Sequence, residues 1–149
     1  MEARFETFTM QIAKISRCIK KIKTEEMSTF NLKSPHVSCL YYMFKQNKPI
    51  TAKELCDLCD EDKGAISRSI DYLEKDEYIF ADSKTEKRYK SPLSLTEKGL
   101  IVGQGIADKV DNILDIASEG LSDEKRKIFY ESLMLISDNL QKICDNYGE

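Results

Sequence analysis

The stretch from Asp62 to Phe80, DKGAISRSIDYLEKDEYIF, separates apolar and hydrogen-bonding residues in a helical pattern. The apolar residues recur at the i, i+4, i+7 spacing of one helix face: Ile66, Ile70 and Leu73. The opposite face carries polar and charged residues, namely Lys63, Ser67, Arg68 and Asp71. A hydroxyl and a guanidinium group suit the phosphates and base edges of a nucleic acid. A solvated helix face carries the same residue types, so the surrounding elements must decide between the two interpretations.

A second charged cluster follows in Ser83–Lys90, SKTEKRYK, which holds four cations and one anion. Two runs that bracket SKTEKR, namely YIFAD and YKSPLSL, have the residue types of short strands and predict a hairpin. The net charge of the chain is −3, which argues weakly against nucleic acid as a partner. Charge is unevenly distributed, however, and local clusters determine an electrostatic footprint. The alternative for these cations is a solubilising loop.

The cysteines and the single histidine give little support for catalysis or metal binding. Cys56 and Cys59 form a C-x-x-C within a helical pattern, without a second such pair, and His36 is the only histidine. A four-ligand zinc site is therefore not expected, and no nucleophile elbow or H-E-x-x-H motif is present. We predict no enzyme activity, no cofactor and no metal. Buried free thiols are the favoured interpretation, although a redox switch on Cys18 or on Cys56 and Cys59 stays open.

Capping signals place these residues on defined elements. Thr51 and Glu54 form a T-x-x-E capping box that opens a short helix, and a second helix covers Asp62–Glu77. Ser34 is predicted to cap the helix before them, while Thr96 and Ser122 are predicted to cap the two helices after the hairpin. A short helix, a turn, a second helix and a hairpin make a winged helix-turn-helix. The predicted fold class is therefore mainly α with a small β wing.

The first and last helices carry long apolar seams with spacings of three and four residues. The first seam consists of Phe5, Phe8, Ile12, Ile15, Ile19 and Ile22, and the last of Phe129, Leu133, Ile136, Leu140 and Ile143. A small winged core cannot cover both seams, so a second copy of the chain is the simplest partner. No apolar run approaches the ~20 residues that span a bilayer, and MEARFETF does not look like a signal peptide, so we expect a cytoplasmic protein without membrane contact.

The segments ITAKELCDLCDEDKGAISRSIDYLEKDEYI and SLTEKG, together with the order of helices, resemble the MarR family of bacterial transcriptional regulators. The resemblance implies a single MarR-like domain over residues 1–149. Residues 34–99 would form the DNA-binding lobe, and residues 1–30 and 100–149 the dimerisation helices. It also implies a homodimer whose recognition helices enter successive major grooves of a double-stranded, pseudo-palindromic operator. Release would follow binding of a small aromatic effector or oxidation of a cysteine.

The resemblance assigns roles to individual residues. The recognition-helix contacts of the family map to Lys63, Gly64, Ser67 and Arg68. The wing-tip pattern, an acid followed two residues later by arginine, falls on Glu86 and Arg88, so Arg88 would enter a minor groove. The cations expected to meet phosphates are Lys84, Lys87 and Lys90. The implied effector pocket would involve a histidine and two aromatic residues, His36, Tyr41 and Phe44, for which a purely structural role is the alternative.

Two departures from the family pattern concern the wing. Glu77 stands where a glycine commonly ends the recognition helix, which puts the geometry of that helix end in question. Pro92 falls in the second wing strand and must lie at an edge or bulge. Overall, the sequence predicts a DNA-binding transcriptional regulator, a ligand-responsive repressor acting as a homodimer. A winged-helix module that binds proteins instead of DNA, and a thiol redox-sensing regulator, stay open as alternatives.

Overall fold

The computed structural model describes residues 4–59, 61–81 and 91–148. The helices are α1 (Arg4–Met27), α2 (Ser34–Gln46), α3 (Ala52–Cys59), α4 (Lys63–Lys75), α5 (Glu97–Ala117) and α6 (Asp123–Asn146), and the strands are β1 (Ile79–Ala81) and β2 (Leu93–Leu95). A 3₁₀ turn, Ser28–Phe30, follows α1. The order of elements confirms the predicted fold class. The predicted wing residues Lys84, Glu86, Lys87, Arg88 and Lys90 lie outside the described residues.

The chain divides into two compact units, Met1–Val110 and Asp111–Glu149. In the first unit, α2, α3 and α4 pack against one another around a common apolar core. The side chains most completely buried there include Leu40, Leu55, Ile66, Leu73 and Ile106. This core fixes the angle between α3 and α4 and therefore determines which face of α4 is exposed.

The small sheet lies directly after α4. Strands β1 and β2 are antiparallel, with Ile79 opposite Leu95 and Ala81 opposite Leu93. Ile50 extends the pairing because its N–H donates to the Leu93 carbonyl at 3.0 Å and its carbonyl accepts from Leu93 at 2.9 Å. Pro92 precedes β2 and stands outside the paired register, where its missing N–H removes no ladder hydrogen bond.

Most of the predicted helix starts are confirmed by hydrogen bonds. The Thr51 N–H donates to Glu54 Oε2 at 2.8 Å, and the Glu54 N–H donates to Thr51 Oγ1 at 3.2 Å, which completes the capping box. The Ser122 hydroxyl oxygen accepts from the Lys125 N–H at 3.2 Å at the start of α6. The prediction for Ser34 was wrong by one residue. The helix begins at Ser34 itself, and the preceding N–H, that of Lys33, donates to His36 Nδ1 at 3.3 Å.

Two long helices expose apolar side chains. In α1 only Met27 is buried, while Phe5, Ile12, Ile15, Ile19 and Ile22 are exposed by between 36% and 77%. The second unit contains α6, which has no buried residue and exposes Phe129, Ile136, Leu140 and Ile143 of the predicted seam. Within the described residues, no helix has the length and apolar character needed to cross a membrane.

Candidate nucleic-acid interface

The two faces of α4 are separated as the sequence predicts. Ile66, Ile70 and Leu73 are each exposed by 2% or less and anchor the helix to the core. The outward face carries the exposed candidate contact residues, which are Lys63, Gly64, Ser67 and Arg68. These four residues lie on the first two turns of α4. Together they offer a guanidinium, an ammonium and a hydroxyl group on the exposed side of the helix.

Asp62 and Gly64 lie at the N-terminal end of α4, next to the exposed candidate contact residues. The Asp62 carboxylate caps α4 by accepting the Ala65 N–H at 2.7 Å. A methyl group added at Gly64 would lie 3.2 Å from Asp62 Oδ1 and 3.3 Å from Arg68 Nη1. The guanidinium of Arg68 therefore lies close to the first turn of the helix, beside Gly64.

The C-terminal end of α4 keeps the expected turn geometry without the glycine. The Tyr78 N–H donates to the Leu73 carbonyl at 2.8 Å, and the Glu77 N–H donates to the Glu74 carbonyl at 3.0 Å. This pair of hydrogen bonds is a Schellman motif, in which the residue after the helix adopts a left-handed backbone. Glu77 has a φ of 61° and takes that position. The left-handed turn that ends α4 is therefore present although residue 77 is a glutamate, whose backbone is strained in this conformation.

The segment Leu95–Gly99 fixes this helix end to α5. Thr96 Oγ1 donates to the Glu77 carbonyl at 2.6 Å and accepts the Gly99 N–H at 3.0 Å. Lys98 Nζ donates to the Asp76 carbonyl at 2.7 Å and lies 4.1 Å from the centre of the Tyr78 ring. A side chain at Gly99 would collide with the Tyr78 carbonyl. These residues hold the C-terminal end of α4, a role that the segment SLTEKG does not reveal by its sequence alone.

His36, a predicted effector-pocket residue, is instead packed against α4. Its ring stacks on that of Tyr72, with centroids 4.2 Å apart and planes within 2° of parallel. The side chain is 9% exposed, and its Nδ1 accepts the Lys33 N–H. Burial is the main cause of the lowered pKa of His36, and the nearby charge of Lys33 contributes in the same direction. This arrangement fits the structural alternative for His36, because it ties the start of α2 to α4.

Tyr41 and Phe44, the other two predicted pocket residues, lie further along α2. Phe44 packs against α5 where a methyl group at Gly103 would approach within 3.0 Å of its Cβ. Phe44 also lines a small cleft of about 160 Å³ together with Asn47, Pro49 and Leu100. Tyr41 contacts Tyr42 edge to face, with ring centroids 5.2 Å apart. The residues lining this cleft include neither His36 nor Tyr41, so this cleft does not bring the three together.

No metal centre is apparent in the part of the chain that the structure describes. Among residues 4–59, 61–81 and 91–148, no three side chains of His, Cys, Asp or Glu come together in a way that could hold an ion. The candidate site is therefore the exposed polar face of α4. The opposite face of the helix is buried, Asp62 caps its N-terminus, and Thr96 and Lys98 donate hydrogen bonds to backbone carbonyls at its C-terminal end. Such a helix has the shape and the donor groups that enter a major groove.

Comparison with known proteins agrees with this geometry. Residues 32–99 match the winged helix DNA-binding domain family. No curated protein matches the chain. Solved structures with the same fold include a MarR family regulator from Neisseria meningitidis, which is 16% identical over 97% of this chain and 99% of that chain, with a TM-score of 0.82.

Two staphylococcal regulators also match. MepR of S. aureus in complex with DNA is 16% identical over 89% of this chain and 97% of its own, with a TM-score of 0.76. MarR of Staphylococcus aureus in complex with salicylate and kanamycin is 17% identical over 92% of each chain, with a TM-score of 0.79. Together with the domain match, these similarities confirm the resemblance drawn from the sequence: the protein carries a winged helix DNA-binding domain and has the fold of the MarR family of transcriptional regulators.

Proposed function

We propose that this protein is a homodimeric, sequence-specific regulator of transcription that represses its target genes in the cytoplasm and is released from DNA by a small aromatic effector. The observation that carries the proposal is the exposed polar face of α4, which is held in a winged helix domain by a fully buried opposite face. A helix presented in this way can reach base edges while its scaffold stays rigid.

In the proposed complex, α4 lies in the major groove of a double-stranded, pseudo-palindromic operator. Ser67 and Arg68 would contact base edges, because a hydroxyl and a guanidinium can both reach groups that differ between base pairs. Lys63 would contact phosphate, and the lack of a side chain at Gly64 would let the backbone approach closely. Of the wing residues, Arg88 would enter the adjacent minor groove, and Lys84, Lys87 and Lys90 would neutralise phosphates.

The proposed dimer rests on the exposed apolar residues of the terminal helices. Phe5 is 77% exposed, and Leu135 of α6 is 63% exposed. Monomeric proteins usually expose apolar side chains singly, whereas here they are exposed along the whole length of a helix. A second copy would cover residues 1–30 and 100–149 of each chain and would place two copies of α4 on one DNA face.

The proposed effector is a small aromatic molecule, in line with the salicylate that is bound to the staphylococcal MarR. Phe44 is the predicted pocket residue that lines a cleft in the described structure. The cleft lies between the end of α2 and the start of α5, and the same α5 segment also holds the end of α4. An occupant of this cleft would therefore act on the element that positions α4.

A DNA titration across a salt series tests the proposal. Genomic fragments bound with a steep loss of affinity at rising salt would support phosphate contacts. Fragment preference at fixed salt would support base recognition. Light scattering on the same samples would measure the mass of the free protein. Absence of DNA binding at low salt would instead favour the alternative, a winged-helix module that binds proteins.

A further inference from the structure

Asp62 and Arg68 face the same small space at the start of α4. The Asp62 carboxylate accepts the Ala65 N–H through Oδ1 at 2.7 Å. The atoms nearest to the position that a Cβ at Gly64 would take are this same Oδ1, at 3.2 Å, and Arg68 Nη1, at 3.3 Å. Both side chains belong to exposed residues. An anionic and a cationic group therefore lie next to each other on the face of α4 that would meet DNA.

The two side chains differ in how firmly they are held. The hydrogen bond to Ala65 fixes the Asp62 carboxylate at the N-cap, where the backbone has the extended conformation of a capping residue. Arg68 carries a long side chain with many rotamers, and its guanidinium loses much of that freedom when it is held in one place. Attraction to a fixed carboxylate therefore favours those rotamers that keep the guanidinium beside Gly64.

The position of an arginine on DNA determines what it recognises. A contact to phosphate is independent of sequence, whereas a bidentate contact of a guanidinium to guanine distinguishes one base pair from the others. Phosphates line both edges of the major groove and attract any nearby cation. A carboxylate repels phosphates and attracts the guanidinium, so a carboxylate beside Arg68 opposes the sequence-independent contact.

We propose that Asp62 is a positioning residue for sequence discrimination, whose carboxylate keeps the Arg68 guanidinium directed at base edges and away from phosphates. This role rests on the proposed function and is separate from the capping of α4. The attraction between exposed charges is weak in the free protein. It becomes stronger when DNA displaces water from the groove, because the effective dielectric constant falls. Asp62 therefore acts mainly in the complex with DNA.

The variant Asp62→Asn separates the two roles, because asparagine caps a helix about as well as aspartate but carries no charge. The probes are the genomic fragment that the native protein binds most tightly and a fragment of the same length with shuffled sequence. We expect the ratio of the two affinities to fall by about fivefold or more, the lower end for one bidentate contact. On the shuffled fragment, the slope of log affinity against log salt should steepen by about 0.9, because Arg68 then neutralises a phosphate.

Two controls show whether the effect passes through Arg68. In an Arg68→Ala background, Asp62→Asn should change neither the affinity ratio nor the salt slope. Glu61→Gln removes the same charge from the preceding residue, whose side-chain atoms lie more than 4 Å from the Cβ position at Gly64, and should leave the ratio unchanged. Thermal unfolding of each variant establishes that the protein is folded at the temperature of the titration.

The titration also distinguishes failure of this role from failure of the proposed function. An unchanged affinity ratio in Asp62→Asn would overturn the role of Asp62. An equal fall of the ratio in the Arg68→Ala background, or in Glu61→Gln, would overturn it as well, because the effect would then belong to charge in general. If the native protein binds neither fragment at low salt, the proposed function fails, and the role of Asp62 fails with it.

Discussion

The backbone of Glu77 provides a quantitative test of the described end of α4. A non-glycine residue in the left-handed region costs about 1–2 kcal/mol. Glycine at the same position avoids this cost but loses about 0.5–1 kcal/mol through the greater freedom of the unfolded chain. With a φ of 61° at Glu77, the variant Glu77→Gly should therefore be more stable than the native chain by about 0.5–1 kcal/mol. For a chain of this size, the melting temperature should rise by about 1–4 °C.

Thermal unfolding at a fixed protein concentration measures this difference, and Glu77→Ala is the matched control. Glu77 lines a cleft with Glu74 and Glu97, so removal of its charge alone could also stabilise the protein. Alanine removes the charge but keeps the strain, and we expect it to give clearly less stabilisation than glycine. Equal stabilisation by alanine and glycine would refute the backbone argument and assign the effect to charge repulsion. A lower melting temperature for Glu77→Gly would refute the left-handed turn itself.

Three further predictions concern packing, pH and DNA contacts. Gly99→Ala should destabilise the protein by about 1–3 kcal/mol in urea unfolding because its methyl group meets a backbone carbonyl, whereas Gly105→Ala meets only a side chain and should cost less. His36 has a lowered folded pKa, so its contribution to stability is present above its ordinary pKa of 6.5 and is lost as the pH falls through the folded value. Urea unfolding at neutral pH and at about pH 5 should show this loss, and His36→Phe should reduce it. Arg68→Ala should lose about 1–3 kcal/mol of base discrimination, while Arg88→Ala should lose preference for AT-rich flanks; equal weakening on all sequences would contradict both assignments.

The sequence predicted those features whose signals lie within a few residues of one another. Thr51 and Glu54 complete a capping box across one helical turn, and Ser122 needs only the N–H three residues later. The spacing of Ile66, Ile70 and Leu73 was sufficient to orient α4. Residues at this spacing lie on one face of a helix, and an apolar face of a small domain packs against its single core.

Features that depend on distant contacts were not predictable in this way. The resemblance implies His36 as an effector-pocket residue, and nothing near it in the sequence indicates that Tyr72 stacks on its ring. The C-x-x-C pattern indicated Cys56 and Cys59, whereas the side chain that contributes most to the lowered pKa of Cys59 is that of Cys39, in another helix. The roles of Lys98 and Thr96 follow from carbonyl groups at the end of α4, which the local sequence does not reveal.

The central claim is that one face of α4 maintains the fold and the other binds DNA. It is tested most directly by titrating an operator fragment with the native protein, Ser67→Glu and Ile70→Ala while following thermal unfolding of all three. Ser67→Glu should abolish binding, because it sets a carboxylate against phosphates and base acceptors, yet change stability by no more than roughly 0.5 kcal/mol. Ile70→Ala, at a site exposed by 2%, should cost about 2–5 kcal/mol of stability. The account would be contradicted if Ser67→Glu bound the operator like the native protein, or if it destabilised the fold as much as Ile70→Ala.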